Sequence, residues 1–222
     1  MIEKYKHIIW DWNGTILNDV DLSVSLINEL LTDYGLKTIS LSEYKNFFTI
    51  PVRDYYESLG FDFSKDSFEV IGKKWMDEYE KRKFECRLYE GIREVFRKIS
   101  ELKIGQSILS AYSQNTLEEM VKHFGLQDYF PYVVGLDNIY AASKIQQGRD
   151  LIRRLGYKKG EVLLIGDTLH DLEVAKEIKA DCVLLTSGHQ SEEKFKSYCA
   201  QTEGVKIIPS VNKLFSRIII PD

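Results

Sequence analysis

The sequence predicts an α/β protein: a doubly wound (Rossmann-like) parallel sheet core with an inserted α-helical cap domain. Short apolar runs alternate with amphipathic stretches along most of the chain, which is typical of strands covered on both faces and of the helices that connect them. The alternation is interrupted once, directly after the first run, by a segment with helical periodicity only. We therefore expect a core domain of residues 1–17 and 86–222 and a helical cap domain of residues 18–85.

Six short apolar runs, most of them rich in β-branched residues, are the predicted strands, and they comprise residues 8–10, 107–109, 132–134, 162–165, 182–185 and 205–208. The tail RIIIPD is interpreted as a last strand or a packing segment. Apolar stripes at helical spacing predict core helices over 92–102, 117–124 and 145–155, the last two closed by glycine. Two further stripes, over 22–34 and 68–79, predict the helices of the cap domain.

The composition of the 222 residues excludes several classes of protein. The net charge is −4 and no basic block is present, so we expect no nucleic-acid partner. No apolar run approaches the roughly 20 residues of a membrane span, and no secretory signal is visible. Three widely spaced cysteines without CxxC spacing favour neither a zinc site nor disulfides. A cytoplasmic monomer or homodimer is therefore expected.

The stretch HIIWDWNGTILND places a carboxylate, Asp11, at the end of the first predicted strand. Ligands of open α/β sheets bind beyond the carboxyl ends of the strands, where such a group can act as a nucleophile or a metal ligand. Gly14 permits a tight turn, and Thr15 offers a hydroxyl and a backbone N–H to an anion. An ordinary Asx turn after a strand would also explain this stretch.

A second stretch, EVLLIGDTLHDLEVA, places Asp167 at another strand end and Asp171 four residues later in a helix start. Together with Asp11 these carboxylates would suit Mg²⁺, which takes a few hard oxygen ligands and keeps several waters. Helix capping is the alternative explanation of both residues.

Ser110 and Lys144 complete the pattern of candidate site residues. Ser110 follows a predicted strand, and its hydroxyl could hold a phosphate oxygen. Lys144 directly precedes a predicted helix, and its charge could neutralise a carboxylate nucleophile and an incoming phosphoryl group. Taken singly, a loop serine and a solvated surface lysine are the simpler interpretations.

In their order along the chain, these motifs resemble those of the haloacid-dehalogenase-like (HAD) superfamily. The resemblance is to the branch of phosphoglycolate phosphatase and β-phosphoglucomutase, which has a helical cap after the first motif. DWNGT matches the DxDGT motif, GDTLHD matches the GDxxxD motif, and Ser110 and Lys144 match the Ser/Thr and lysine motifs. The resemblance spans nearly the whole chain and implies a phosphatase acting on a small phosphorylated metabolite, such as phosphoglycolate.

The resemblance also implies the role of each residue. Asp11 would attack phosphorus and form an aspartyl-phosphate, and Lys144 would orient it. Mg²⁺ would be held by Asp11, the backbone carbonyl of Asn13 and Asp167, with Asp171 assisting. The phosphoryl oxygens would be bound by Gly14, Thr15, Ser110, Ala111 and Lys144.

Asn13 departs from the family pattern, which has at this position an aspartate that exchanges the proton of the leaving group. An amide cannot do so, and such acid–base help is worth roughly 10²–10⁴-fold. The chain could then be a slow phosphatase, or one whose substrate has a good leaving group. Alternatively, His170 or His189 could supply the proton, or the chain could be a phosphate-binding or regulatory protein with a degraded site. A phosphonatase-like C–P hydrolase is a further alternative, with Lys45 or Lys65 of the cap as its amine.

The cap is expected to select the substrate. Pro51 can start a helix in the segment FFTIPVRDYYESLGF, and Arg53 would lie in its first turn. A guanidinium there could pair with a substrate carboxylate or second phosphate, although a surface pair with Asp54 or Glu57 would explain it as well. His189, in TSGHQS, follows a later predicted strand, so its loop could border the site, although a solvent-exposed loop histidine is the favoured prediction.

Overall fold

The computed structural model describes residues 2–136, 144–199 and 202–215. Its strands are β1 (His7–Trp10), β2 (Leu17–Asn18), β3 (Arg87–Leu88), β4 (Gly105–Ser113), β5 (Tyr132–Leu136), β6 (Val162–Gly166), β7 (Asp181–Leu185) and β8 (Val205–Ile208). One sheet of six parallel strands has the order β5-β4-β1-β6-β7-β8. The predicted α/β fold with a parallel sheet is confirmed, and β1 lies inside the sheet between β4 and β6.

Helices cover both faces of this sheet, as a doubly wound fold requires. The helices are α1 (Val20–Asp33), α2 (Leu41–Phe47), α3 (Val52–Ser58), α4 (Phe68–Arg82), α5 (Ile92–Glu101), α6 (Gln114–His123), α7 (Ile145–Leu155), α8 (Leu169–Ile178) and α9 (Glu192–Cys199). Ile8 and Trp10 of β1 belong to an apolar cluster with α5 and α6, whereas Ile9 belongs to a cluster with α7, α8 and α9. Alternate residues of one buried strand thus stabilise two separate helical layers.

Helices α1 to α4, here named the helical insert, lie between the two short strands β2 and β3. These strands pair antiparallel, with Leu17 opposite Leu88, so the chain enters and leaves the insert side by side. The insert has an apolar cluster of its own, which includes Tyr44, Tyr55 and Ile71. This arrangement is compatible with the predicted cap, although the division into two domains stays a prediction.

The insert is hydrogen-bonded to the chain that follows β7. Lys45 Nζ donates to the carbonyls of Thr186 at 3.1 Å and Ser187 at 3.0 Å. From the other side, the amide of Gln190 donates to the carbonyl of Phe48 at 3.0 Å, and Lys194 Nζ donates to the same carbonyl. The insert is therefore held against the edge of the sheet at which β7 ends.

Some details differ from the prediction. Strand β4 continues to Ser113, so Ser110 lies within it rather than after it. Its pairing with β5 changes register between Leu109 and Ser113. The residues around this change do not form an apolar run, so the sequence pattern did not predict this part of the strand. Strands β2 and β3 have two residues each, too few for a periodic signal. The predicted segment RIIIPD lies outside the described residues. Among the described helices, none has the length and apolarity that crossing a bilayer requires.

Candidate active site

Asp11 directly follows β1, and its backbone N–H donates to the carbonyl of Ile165 in β6 at 2.9 Å. The chain then turns through Gly14, whose φ of +68° favours glycine. A Cβ atom at Gly14 would lie 2.2 Å from Asp167 Oδ2. Glycine is therefore required here both by the backbone conformation and by the close approach of the carboxylate.

Lys144 reaches Asp11 from the residue that precedes α7. Its Nζ lies 2.5 Å from Asp11 Oδ1 and 2.7 Å from Asp171 Oδ1, and it donates to the carbonyl of Leu109 at 3.0 Å. The side chain is only 3% exposed. Lys144 is thus a buried cation held between two carboxylates.

Asp167 and Asp171 come from the end of β6 and the first turn of α8. Asp167 accepts hydrogen bonds from the Thr15 hydroxyl at 3.1 Å and from the backbone N–H of His189 at 2.6 Å. Asp171 accepts from the backbone N–H of Thr168 at 3.0 Å. One ligand oxygen from each of Asp11, Asp167 and Asp171 lies within 4.8 Å of the other two. The three predicted acids meet at one point.

The electrostatics of this cluster favour a bound cation. Burial raises the pKa values of Asp11 and Asp167, and Lys144 opposes this rise at Asp11. Burial acts the same way on Asp171, but there the charge and hydrogen bond of Lys144, together with the hydrogen bond of Thr168, outweigh it and lower the pKa. Lys144 itself is disfavoured as a cation by burial, yet Asp11 and Asp171 raise its pKa. Three buried carboxylates are therefore balanced by the charge of one lysine. Their oxygen atoms are hard ligands, and this donor set fits a divalent cation such as Mg²⁺.

These residues line a cavity of about 240 Å³ between the sheet and the helical insert. Ser110 and Ala111 of β4 also line it. The Ser110 hydroxyl oxygen accepts a hydrogen bond from the Tyr112 N–H at 3.1 Å, which leaves its proton free for a ligand. The cavity thus combines an acidic centre, a buried cation and a hydroxyl donor at the carboxyl ends of the strands.

Comparisons with known proteins agree with this geometry. The sequence model of the haloacid dehalogenase-like hydrolases matches residues 8–185. The chain belongs to this family. It is 21% identical over 196 residues to phosphoglycolate phosphatase of Synechococcus elongatus, covering 86% of this chain and 89% of that protein.

Two further relatives cover similar shares of the chain. Pyrophosphatase PpaX of Listeria monocytogenes is 24% identical over 198 residues, covering 85% of this chain and 84% of the relative. The crystal structure of a predicted phosphatase from Clostridium acetobutylicum superposes with a TM-score of 0.77 at 21% identity, covering 95% of this chain and 96% of the other. This likeness shows that the two chains share a fold.

Within the haloacid dehalogenase-like site, Asn13 is held by a neighbour that the sequence analysis overlooked. Its Nδ2 donates to Asp19 Oδ2 and to the Tyr79 hydroxyl, each at 2.7 Å. Asp19 also accepts from the Gly14 N–H at 2.8 Å and from the Tyr79 hydroxyl at 2.8 Å. The amide at position 13 therefore acts as a donor, which a carboxylate could not do. The only signal for Asp19 in the sequence is its place before a predicted helix.

The prediction that His189 is a solvent-exposed loop residue was wrong. His189 is 6% exposed, with Nδ1 2.9 Å from the Tyr44 hydroxyl and Nε2 3.3 Å from Asp19 Oδ1. Burial opposes its charge, but Asp19 and then Asp167 raise its pKa to about 9. Tyr44 of the insert covers this loop, and no local pattern reports such a contact. His170 lines the cavity, and its buried Nε2 has no hydrogen-bond partner among the described residues.

Three predicted binding residues do not line the cavity. The N–H of Gly14 is bonded to the Leu17 carbonyl and to Asp19, and the Thr15 N–H and hydroxyl are bonded to the Trp12 carbonyl and to Asp167. Both residues therefore shape the turn rather than offer donors to a ligand. The third residue, Arg53, points to solvent instead.

Arg53 pairs with Glu57 and does not reach the site. Its Nε lies 3.1 Å from Glu57 Oε1, and its side chain is 51% exposed. The guanidinium also lies over the ring of Phe63 at 4.9 Å. The surface pair one turn along α3 is thus the correct interpretation. Lys45, a candidate amine for C–P hydrolysis, donates to backbone carbonyls and is likewise absent from the cavity lining.

Proposed function

We propose that this haloacid dehalogenase-like hydrolase is a Mg²⁺-dependent phosphatase that acts on a small phosphorylated metabolite through an aspartyl-phosphate on Asp11. The observation that supports it is the placement of Asp11 in the cavity, in contact with Lys144 and within 4.8 Å of two further buried carboxylates. The phosphatase names of the relatives support the same reaction class.

In the proposed first step, a carboxylate oxygen of Asp11 attacks phosphorus and the bond from phosphorus to the leaving alcohol oxygen breaks. Lys144 favours the ionised form of Asp11 and orients it, because its ammonium group donates to Asp11 Oδ1 and opposes the rise in pKa that burial causes. The Ser110 hydroxyl donates to a phosphoryl oxygen. In the second step, water attacks the phosphorus of the aspartyl-phosphate, and phosphate and the free Asp11 carboxylate are released.

Asp11, the backbone carbonyl of Asn13 and Asp167 would hold Mg²⁺, with Asp171 assisting. When bound, the ion would neutralise charge on the phosphoryl oxygens. The chain's own contribution is a fixed carboxylate geometry: Asp167 is bonded to Thr15 and to the N–H of His189, and Asp171 is bonded to Thr168. These bonds hold the oxygens in place before any cation binds.

Asn13 limits the substrates that can turn over quickly. Its side chain cannot give a proton to the leaving oxygen, and it is bonded to Asp19 and Tyr79. Esters of acidic alcohols and acyl phosphates need little proton donation, so we propose that these react fastest. Phosphoglycolate and pyrophosphate are the substrates named in the relatives, and phosphoglycolate is the substrate that the resemblance implies. A cytoplasmic location is likewise part of the proposal.

The experiment is hydrolysis of acetyl phosphate with and without Mg²⁺. Turnover that requires Mg²⁺ and is lost in Asp11→Asn would support the proposal. Saturable binding of phosphate without turnover, even at high protein concentration, would instead indicate a phosphate-binding or regulatory protein.

A further inference from the structure

The two sides of the cavity differ in chemistry. The sheet side presents Asp11, Asp167, Asp171 and Lys144. The insert side is mainly aliphatic and aromatic, and its lining includes Ile27, Phe48, Ile50, Tyr55, Trp75 and Met76. A phosphoryl group bound beside Asp11 would therefore direct its leaving group towards apolar side chains.

On the insert side, the described residues that line the cavity offer no spare positive charge to a second anionic group of the substrate. Among the described residues that line it, Lys144 is the one lysine or arginine, and it is already paired with Asp11 and Asp171. The ring of His189 is likewise already paired, since its Nε2 lies 3.3 Å from Asp19 Oδ1. A carboxylate or second phosphate on the insert side would lose its water without gaining a cation, and an unpaired buried charge is strongly unfavourable.

We propose that the substrate is a phosphate monoester of an uncharged, largely apolar alcohol of about the size of one ring. This inference rests on the proposed phosphatase function and names the substrate class of the same site. The volume agrees, because a cavity of about 150 Å³ suffices for benzene and this cavity measures about 240 Å³.

One polar group at the insert side sharpens the description of the alcohol. The Tyr55 hydroxyl is buried and has no hydrogen-bond partner among the described residues, although Tyr55 lines the cavity. Buried polar atoms are normally paired, so an unpaired one in a cavity wall marks a place for a ligand atom. The alcohol therefore bears an uncharged hydrogen-bonding group, such as a hydroxyl, ether or carbonyl oxygen, within reach of Tyr55.

The test compares kcat/KM for benzyl phosphate and phosphoglycolate, two alkyl phosphates whose leaving alkoxides are of similar basicity. We expect benzyl phosphate to be preferred at least about tenfold, since burial of an apolar ring favours its binding. Equal values, or a preference for phosphoglycolate, would overturn the inference. Acetyl phosphate is run in parallel: if it is hydrolysed while benzyl phosphate is not preferred, the substrate class fails and the phosphatase stands. If no phosphate compound is hydrolysed, the phosphatase proposal fails first.

A positive charge introduced into the insert side of the cavity tests whether the lack of a cation there sets the preference for an uncharged alcohol. Met76 lies on α4 and lines the cavity, whereas Val70, on the same helix, is 44% exposed and does not line it. Met76→Arg should lower the preference for benzyl phosphate at least about tenfold by supplying the missing cation, and Val70→Arg should leave the preference unchanged. An unchanged preference in Met76→Arg would contradict the inference. If that variant cannot hydrolyse acetyl phosphate, Ile50→Arg provides the same test.

Discussion

The two ends of β1 bury titratable side chains in opposite ways. At the amino end, His7 is 2% exposed, with its Nε2 2.9 Å from the Ser107 hydroxyl, and burial lowers its pKa to about 4. At the carboxyl end, Asp11 is 8% exposed and is surrounded by Lys144 and two further carboxylates. His7 is accommodated as a neutral group, whereas Asp11 lies in a network of charges.

The difference shows what burial alone does and what function adds to it. A lone buried base loses its charge, because the low dielectric of the interior disfavours ions. A buried acid stays available as a nucleophile only where a cation is placed against it, as Lys144 is here. The amino edge of the sheet therefore buries His7 as a neutral group, and the carboxyl edge holds the groups that we propose for catalysis.

The largest effect is expected at Asp11. Asp11→Asn removes the proposed nucleophile, so kcat for acetyl phosphate should fall by about 10⁴-fold or more. The measurement is steady-state release of phosphate. Asp128→Asn is the control, because Asp128 is exposed and lies outside the cavity lining, and it should retain wild-type turnover. A small loss in Asp11→Asn would show that another group attacks phosphorus.

The next effect concerns the cation and contrasts the two edges directly. Mg²⁺ at about 100 times its dissociation constant should raise the free energy of unfolding by about 2.7 kcal/mol, since only the folded chain assembles the three carboxylates. Asp167→Asn removes a proposed ligand and should abolish most of this gain. Asp181→Asn, at the amino end of β7, should keep it. Thermal unfolding over a Mg²⁺ titration provides the measurement, and equal gains in both variants would refute the site.

A third prediction concerns pH and the amino edge. His7 has a folded-state pKa of about 4, whereas the ordinary histidine side chain has a pKa of 6.5. Below pH 6.5 the unfolded chain therefore binds a proton at His7 that the folded chain does not bind until the pH approaches 4. The free energy of unfolding should thus fall as the pH drops, with a contribution from His7 of about 2 kcal/mol at pH 5. In His7→Gln this contribution is absent, so denaturant titrations at pH 7 and pH 5 should differ less than in the wild type. Identical pH dependence would mean that His7 titrates normally.

The smallest effect is expected at Asn13. Asn13→Asp should raise the rate for esters with poor leaving groups about tenfold or more by restoring an acid–base group, while acetyl phosphate, which needs little proton donation, should gain less. The same variant should lose about 1–3 kcal/mol of stability, because a carboxylate cannot donate to Asp19 and Tyr79. Unchanged ester rates would show that another group already supplies the proton.

Much of the sheet could be predicted, because a strand covered on both faces is a continuous apolar run whatever lies next to it. The same logic predicted that Asp11 and Asp167 meet, since both directly follow strands that prove to be adjacent in one parallel sheet. Strand β4 was longer than predicted, because its later residues, around the change of register, are not an apolar run.

The relations between distant segments could not be predicted. The burial of His189 depends on Tyr44, which is 145 residues away in the sequence. Arg53 illustrates the converse, since its place in the first turn of a helix was predicted, whereas the sequence left open whether it reaches the substrate or pairs with Asp54 or Glu57 at the surface. Periodicity assigns an element and a face, whereas a site at the junction of two units depends on how those units pack.

The hydrogen bonds from Lys45, Gln190 and Lys194 that hold the insert against the sheet share one property: every acceptor is a backbone carbonyl. Substitution at Thr186, Ser187 or Phe48 leaves that oxygen in place. The attachment of the insert to the chain that follows β7 therefore keeps its acceptors when side chains on the accepting side change, whereas each donor side chain is needed for its bond. Lys45, Gln190 and Lys194 are consequently the positions at which substitution would loosen this attachment.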